Sequence, residues 1–211
     1  SKETNKLINL AKKVGVESIV DPEYDSLIST GEDVSSALLA IALNSIGISS
    51  RTWRGWQLPV RTDSFHSNAK IEEIDTGKLV DEFKNGTKVA VVSGFQGVEK
   101  SERITTLGRG GSDTSAVAIA AAINAKRCDI YTDVSGIYTT DPRIKKNASK
   151  LKKISFEEML EMASLGANVL QTRAVELAMR HKVPITVLNS FSNEEGTLVC
   201  DEEEIMEKNI V

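Results

Sequence analysis

Apolar positions recur at helical spacing in several stretches of the chain. Leu7, Ile8, Leu10, Ala11 and Val14 make one face of a helix over 6–14, with Thr4 or Asn5 as its cap. A longer helical run carries Val34, Ala37, Leu38, Ile41, Ala42 and Ile46, and Gly47 stops it. Ser29-Thr30-Gly31-Glu32 precedes that run, which puts Glu32 in or beside its first turn. Residues 76–83 fit a short helix ended near Asn85-Gly86, and 169–180 fit another. Ser155 followed by Glu158 is a capping box that opens a further helix. Between the helices lie short runs of strand character at 88–93, 127–132, 183–188 and 196–200. Residues 48–60 read as strands joined by a turn at Arg54-Gly55, with Trp53 and Trp56 in the core. Two polar stretches, 62–68 and 98–106, read as an exposed loop and an excursion, and His66 falls in the first as a solvated side chain. The acidic end, 201–208, reads as a short helix or a frayed tail. Alternating helices and strands predict an α/β fold with a largely parallel sheet covered by helices. The chain starts almost on a helix, with no strand before it, which is unusual in that class.

The densest candidate chemistry lies in 105–124. Thr105-Thr106-Leu107-Gly108-Arg109-Gly110-Gly111-Ser112-Asp113-Thr114-Ser115 leads into an alanine-rich apolar run. This pattern predicts a glycine-rich turn opening a helix over 116–125, capped by Asp113 or Ser112. The N-terminal end of such a helix attracts an anion. Arg109 adds a planar fork suited to a carboxylate or phosphate. A bare Gly-x-Gly-Gly would be an ordinary loop-to-helix turn; Arg, Ser and Asp among the glycines point to a ligand.

A second dense segment follows the 127–132 strand. Thr132-Asp133-Val134-Ser135-Gly136-Ile137-Tyr138-Thr139-Thr140-Asp141-Pro142-Arg143 gathers hydroxyls, an aromatic ring, two carboxylates and an arginine. That inventory suits a nucleotide, with a ring for the base and Arg143 for phosphate. Asp141-Pro142 alone would be turn chemistry. The lysines of 145–153 read as a solvated loop.

Composition narrows the class without changing this picture. At 211 residues, 40% hydrophobic and 27% charged, the chain suits one domain or lobe with a real core. A net charge of -4 argues against general nucleic-acid binding. The pattern offers no apolar run long enough to cross a bilayer, and Ser1 to Asn5 carry no signal-peptide pattern. Cys128 and Cys200 lack metal-ligand spacing and read as buried free thiols of a reduced, cytoplasmic protein.

Four segments occur in order: Ser29-Thr30-Gly31-Glu32, Gly94-Phe95-Gln96-Gly97, Thr106-Leu107-Gly108-Arg109-Gly110-Gly111-Ser112-Asp113 and Thr132-Asp133-Val134-Ser135-Gly136-Ile137-Tyr138. Together they resemble the catalytic domain of the aspartokinase family, within the amino-acid kinase superfamily. The resemblance implies a three-layer α/β/α sandwich with a mainly parallel sheet. It implies transfer of the ATP γ-phosphoryl group to the β-carboxylate of L-aspartate, with Mg2+, in lysine/threonine/methionine-type biosynthesis. By resemblance, Arg109 and Ser112, with Gly110 and Gly111, hold the aspartate carboxylate. Glu32 meets the amine, and Thr4 lines the same pocket. Asp113 orients a phosphate-binding lysine and, with Arg109, is assigned to catalysis. ATP falls to Ser112, Thr132, Asp133, Tyr138, Thr139, Thr140, Asp141, Pro142, Arg143 and Asn168. The implied partners are L-aspartate, ATP and further copies of the chain, with no nucleic acid and no membrane. No dedicated protein metal site is implied.

Three departures from the family pattern stand out. The family opens with a strand and a Lys-Phe-Gly-Gly-Thr-Ser loop, and this chain starts after that element. Asn168 stands in Gly166-Ala167-Asn168-Val169-Leu170 where the family has lysine. The regulatory ACT domains are absent, so 1–211 reads as a truncated catalytic domain. Loss of both lysines leaves a second reading open, a catalytically silent nucleotide- or aspartate-binding domain.

Overall fold

The computed structural model describes residues 2–15, 20–145, 147–166 and 169–206. The chain divides into two compact units, Ser1–Ser115 and Ala116–Val211.

The first unit opens with α1 (Lys2–Lys13) and α2 (Pro22–Ser45). It continues with β1 (Ser50–Trp53), β2 (Val60–Thr62), β3 (Ile71–Ile74), α3 (Gly77–Lys84), β4 (Val89–Val92), β5 (Gln96–Val98) and β6 (Ile104–Thr106). The boundary between units falls inside α4 (Gly111–Ala122). β1 pairs with β4 in parallel. A separate sheet runs in the order β3-β2-β5-β6, parallel between β2 and β5 and antiparallel at its other two pairs. The expected strands over 48–60 therefore belong to different sheets. Trp53 is buried, whereas Trp56 is 52% exposed and lies in the connecting turn. The expected excursion at 98–106 is the β5–β6 hairpin, and β3 had no clear sequence signal.

Two helix starts differ from expectation. Thr4 and Asn5 lie inside α1 rather than capping it. α2 starts at Pro22, well before Ser29, because Asp21 caps it: Asp21 Oδ1 accepts the Glu23 N–H at 2.7 Å. Pro22 suits the first helical position, where no N–H is needed. Ser29, Thr30, Gly31 and Glu32 are thus mid-helix, and Glu32 does not complement the helix dipole. α1 packs over Gly31, where a Cβ would make an ordinary contact with Leu7 Cδ1 at 3.4 Å. A small core of Ala11, Tyr24 and Ile28, with Leu7, Ile8, Leu27 and Phe95 against it, holds the two helices.

At 24 residues α2 is long and apolar enough, by length and composition, to cross a bilayer, the one such helix among the described residues. The sequence pattern misses it by starting the helix after Glu32. Val34, Leu38 and Ile41 of α2 are exposed. Its interior keeps the carboxylates Glu32 and Asp33, and Asp33 Oδ1 accepts Gln96 Nε2 at 3.1 Å.

The second unit holds β7 (Cys128–Thr132), β8 (Lys153–Ser155), α5 (Phe156–Ser164), α6 (Thr172–His181), β9 (Ile185–Asn189), β10 (Thr197–Cys200) and α7 (Glu202–Met206). Its sheet runs β7-β9-β10-β8, parallel at both outer pairs and antiparallel between β9 and β10. Ile130, Ile154, Phe156, Met159, Val175, Ile185, Val187 and Val199 form its core. Each such buried side chain contributes roughly 1.5–3 kcal/mol. The capping box that opens α5 forms as expected: Ser155 Oγ accepts the Glu158 N–H at 3.2 Å, and Glu158 Oε2 accepts the Ser155 N–H at 3.0 Å. Cys128 and Cys200 are buried free thiols.

Candidate functional site

The glycine-rich stretch forms the turn between β6 and α4. Gly108 and Gly110 have φ of 76° and 67°, a region that favours glycine. The Gly111 N–H donates to the Gly108 carbonyl at 3.1 Å. A Cβ on Gly111 would lie 2.9 Å from both Leu107 Cβ and Phe95 Cδ2, so the helix can start here only without a side chain. α4 begins at Gly111, earlier than expected, and Ser112 and Asp113 occupy its first turn rather than capping it. Arg109 and Ser112 are exposed and Asp113 is partly so. A planar cation, a hydroxyl and the positive end of a 12-residue helix thus share one turn.

Long-range bonds lock this turn to two other segments. The Leu107 N–H donates to the Phe95 carbonyl at 3.0 Å, and the Phe95 N–H donates to Ser115 Oγ at 3.0 Å. Phe95 itself has a φ of 67°, uncommon for a bulky side chain. Next to it, Gln96 Nε2 donates to the Ser29 carbonyl (3.4 Å) and to Asp33 Oδ1 (3.1 Å), on either side of Glu32. Gln96 Oε1 also accepts the Gly55 N–H at 3.2 Å. Three of the four sequence motifs therefore form one bonded cluster in the first unit. Glu32 is half-buried, and Thr4, also half-buried, sits on α1.

The fourth motif lies in the second unit. Thr132 ends β7, and its Oγ1 donates to Asp133 Oδ1 at 3.2 Å. Tyr138 is half-buried and forms an isolated antiparallel bridge with Lys150. Thr139 and Thr140 are exposed, and the Thr139 N–H donates to the Ser149 carbonyl at 3.0 Å. Asp141 and Arg143 face each other: Arg143 Nη2 lies 2.9 Å from Asp141 Oδ2, and the Arg143 N–H donates to Asp141 Oδ1 at 2.8 Å. These bonds hold the Asp141 carboxyl below the usual range and raise the Arg143 guanidinium above its own. Pro142 is exposed between them. Asn168 lies outside the described residues. Lys150 is not a solvated loop lysine, for its Nζ donates to the Glu195 carbonyl at 2.7 Å.

At three positions sequence reasoning missed the bonding partners. His66 is not solvated: its Nδ1 lies 2.9 Å from Asp25 Oδ2, and Asp25 is fully buried. Thr197, fully buried on β10, accepts the Ile137 N–H and donates to the Leu151 carbonyl. Gln96 carries the bonds described above. Each bonds to partners distant in sequence, so no local pattern marks the contact, even for Gln96, which falls in the Gly94–Gly97 motif. Only the Asp21-Pro22 pair, a helix-start signal, could have revealed that Asp25 sits on a helix.

The chain matches the model of the amino acid kinase family over residues 1–189. The aspartate kinase of Pseudomonas fluorescens (strain SBW25) is 54% identical over 213 residues, covering 100% of this chain and 51% of that protein. The chain spans about half the length of the curated relatives it matches. The crystal structure of E. coli aspartokinase III in complex with aspartate and ADP gives a TM-score of 0.81 at 34% identity, over 95% of this chain and 45% of that one. The crystal structure of aspartate kinase from Synechocystis gives 0.82 at 44% identity, over 95% of this chain and 32% of that one.

Proposed function

The chain belongs to the amino acid kinase family and has its α/β fold, and on that premise we propose that it carries aspartate kinase chemistry. The reaction moves the γ-phosphoryl group of ATP to the β-carboxylate of L-aspartate and yields an acyl phosphate and ADP. The relatives that span the whole chain are named as aspartate kinases, and one solved relative holds aspartate and ADP. The observation that carries the reading is the bonded cluster of the first unit. It joins the Gly108–Gly110 turn to Phe95, and Gln96 to the α2 turn that bears Glu32.

In this reading Arg109 and Ser112 take the substrate carboxylate, aided by the N-terminus of α4. Glu32 takes the amine, Thr4 lines the same pocket, and Asp113 orients the phosphate side. A carboxylate is already ionised near neutral pH, so it attacks without a general base. The protein's task is to bring two anions together and hold them in line. Tyr138, with Thr132, Asp133, Thr139 and Thr140, serves the nucleotide. Arg143 reaches a phosphate by exchanging its Asp141 partner. Mg2+, bound together with ATP, would neutralise part of the phosphate charge. It is usually held by phosphates, waters and one or two carboxylates. Such a kinase acts in the cytoplasm, at the start of lysine/threonine/methionine-type biosynthesis.

The test incubates the protein with ATP and L-aspartate and traps aspartyl phosphate as its hydroxamate. Arg109→Ala should raise the aspartate KM far more than the ATP KM. Absence of hydroxamate, or equal effects on both substrates, overturns the assignment.

A further inference from the structure

Asp25 is a fully buried carboxylate to which the proposed chemistry assigns no role. It stands in the first turn of α2, and its oxygens collect donors from two other segments. From the end of β6, the Thr106 N–H donates to Oδ2 at 2.9 Å and Thr106 Oγ1 to Oδ1 at 2.7 Å. From the loop between β2 and β3, the Ser67 N–H donates to Oδ2 at 2.9 Å and Ser67 Oγ to Oδ1 at 3.2 Å. His66 Nδ1 approaches Oδ2 at 2.9 Å. A carboxylate offers about four lone-pair sites, so this one is saturated.

Both donor segments lead to the glycine turn. Thr106 is separated from Gly108 only by the buried Leu107. The loop meets Gly108 from the other side: a Cβ on Gly108 would lie 3.0 Å from both the Ser67 carbonyl oxygen and Asn68 Oδ1. The Ala69 N–H closes the contact by donating to the Thr106 carbonyl at 2.9 Å. Ser67 has a φ of 65°, a conformation that costs free energy in a residue with a side chain. Its two bonds to Asp25 hold it there. A local strain of this kind persists only where the surroundings over-determine it, and Asp25 is what does so.

We infer that Asp25 is a positioning residue that sets the amino-acid affinity of the site by fixing the turn that carries Arg109. It touches no substrate and acts through Thr106 and the Ser67–Asn68 segment. The inference rests on the reading of Arg109 as the residue that holds the substrate carboxylate. A buried carboxylate with five donors has no comparable partner if they are removed, so the arrangement is held as a unit. Local loosening here costs orientation at Arg109, and misplacement of about 1 Å can cost roughly 100-fold in rate.

The test compares Asp25→Asn, Thr106→Val and Thr106→Ser in steady-state kinetics and amide hydrogen exchange. Asp25→Asn should raise the aspartate KM about tenfold or more while the ATP KM stays within about twofold. Exchange should quicken at 64–69 and 105–111. Thr106→Val, which removes one hydroxyl donor, should raise the aspartate KM about threefold, and Thr106→Ser should restore it. If Asp25→Asn does not fold, the Thr106 pair decides alone, because both are mild substitutions. An unchanged aspartate KM, or equal rises for both substrates, overturns the inference. Should Arg109→Ala leave the aspartate KM unchanged, the substrate reading fails instead. Exchange then still decides whether Asp25 fixes the turn: quickening confined to 64–69 and 105–111 in Asp25→Asn upholds it, and unchanged exchange overturns it.

Discussion

The hydroxyl of Thr197 accepts the backbone N–H of Ile137 at 2.9 Å, across 60 residues of sequence. The same Oγ1 donates to the Leu151 carbonyl at 2.6 Å. Thr197 thereby clamps the segment that carries Tyr138, and Gly136 passes so close that a Cβ there would lie 2.6 Å from Thr197 Oγ1. Thr197→Val keeps the shape and leaves a buried N–H without its acceptor. The expected loss of stability is about 1–3 kcal/mol. Chemical denaturation measures it, and kinetics should show a raised ATP KM with the aspartate KM unmoved. An unchanged ATP KM in a destabilised variant would separate Thr197 from the nucleotide segment.

Arg109→Lys keeps the charge and loses the planar fork. If the turn binds a carboxylate through two parallel N–H donors, lysine should not restore affinity. We expect an aspartate KM close to that of Arg109→Ala, a loss of roughly 2–5 kcal/mol of binding in each case. Near-normal kinetics for the lysine variant would make Arg109 a simple point charge.

Glu99 provides the pH-dependent prediction. Ser101 Oγ, the Ser101 N–H (3.0 Å) and the Arg103 N–H (3.2 Å) all donate to its carboxylate, across the β5–β6 hairpin. These bonds, the Ser101 hydroxyl first among them, hold the Glu99 carboxyl below its ordinary 4.5. A carboxyl with a depressed folded-state pKa favours the fold above its unfolded value. That contribution fades as pH falls through the lower folded-state value. The hairpin should therefore loosen in acid below 4.5 and hold firm at neutral pH. Amide exchange at Arg103 reports the loosening, and Glu99→Gln should remove its pH dependence. A carboxyl resonance for Glu99 that titrates at or above 4.5 would contradict this.

Gly31 lies mid-helix, where glycine costs free energy relative to alanine. Its Cβ would make an ordinary contact with Leu7 Cδ1 at 3.4 Å, so alanine fits. Gly31→Ala should stabilise the protein by about 0.5–1 kcal/mol in urea denaturation. Gly31→Leu should displace α1 and lower stability. A destabilising alanine would mean that α1 and α2 pack too closely for any side chain.

What the sequence determined by itself is local. The capping box of Ser155 and Glu158, the end of α3 at Asn85, the stop at Gly47 and the strands at 128–132 and 185–189 follow from neighbouring residues. Periodicity and capping act over a few residues, so they can be read in order along the chain. The glycine turn before α4 was legible for the same reason, since only glycine accepts its dihedral angles freely. The chain's four motifs also marked the family, a reading that rests on residue types in order and needs no geometry.

The tertiary structure alone decided where those residues act. Glu32 looked like a helix start because Ser29-Thr30-Gly31 resembles one, yet Asp21 captures the end earlier and carries the helix through them. His66 looked solvated because its neighbours are polar, yet a carboxylate 41 residues away binds it. Asp25 meets Thr106 across 81 residues, and Gln96 meets Asp33 across 63. Such partners are selected by burial: once water is excluded, a polar group must bond to whatever the packed chain places beside it. Nothing local to Asp25, Gln96 or Thr197 encodes the choice of partner, so only the folded chain reveals which side chains hold these turns.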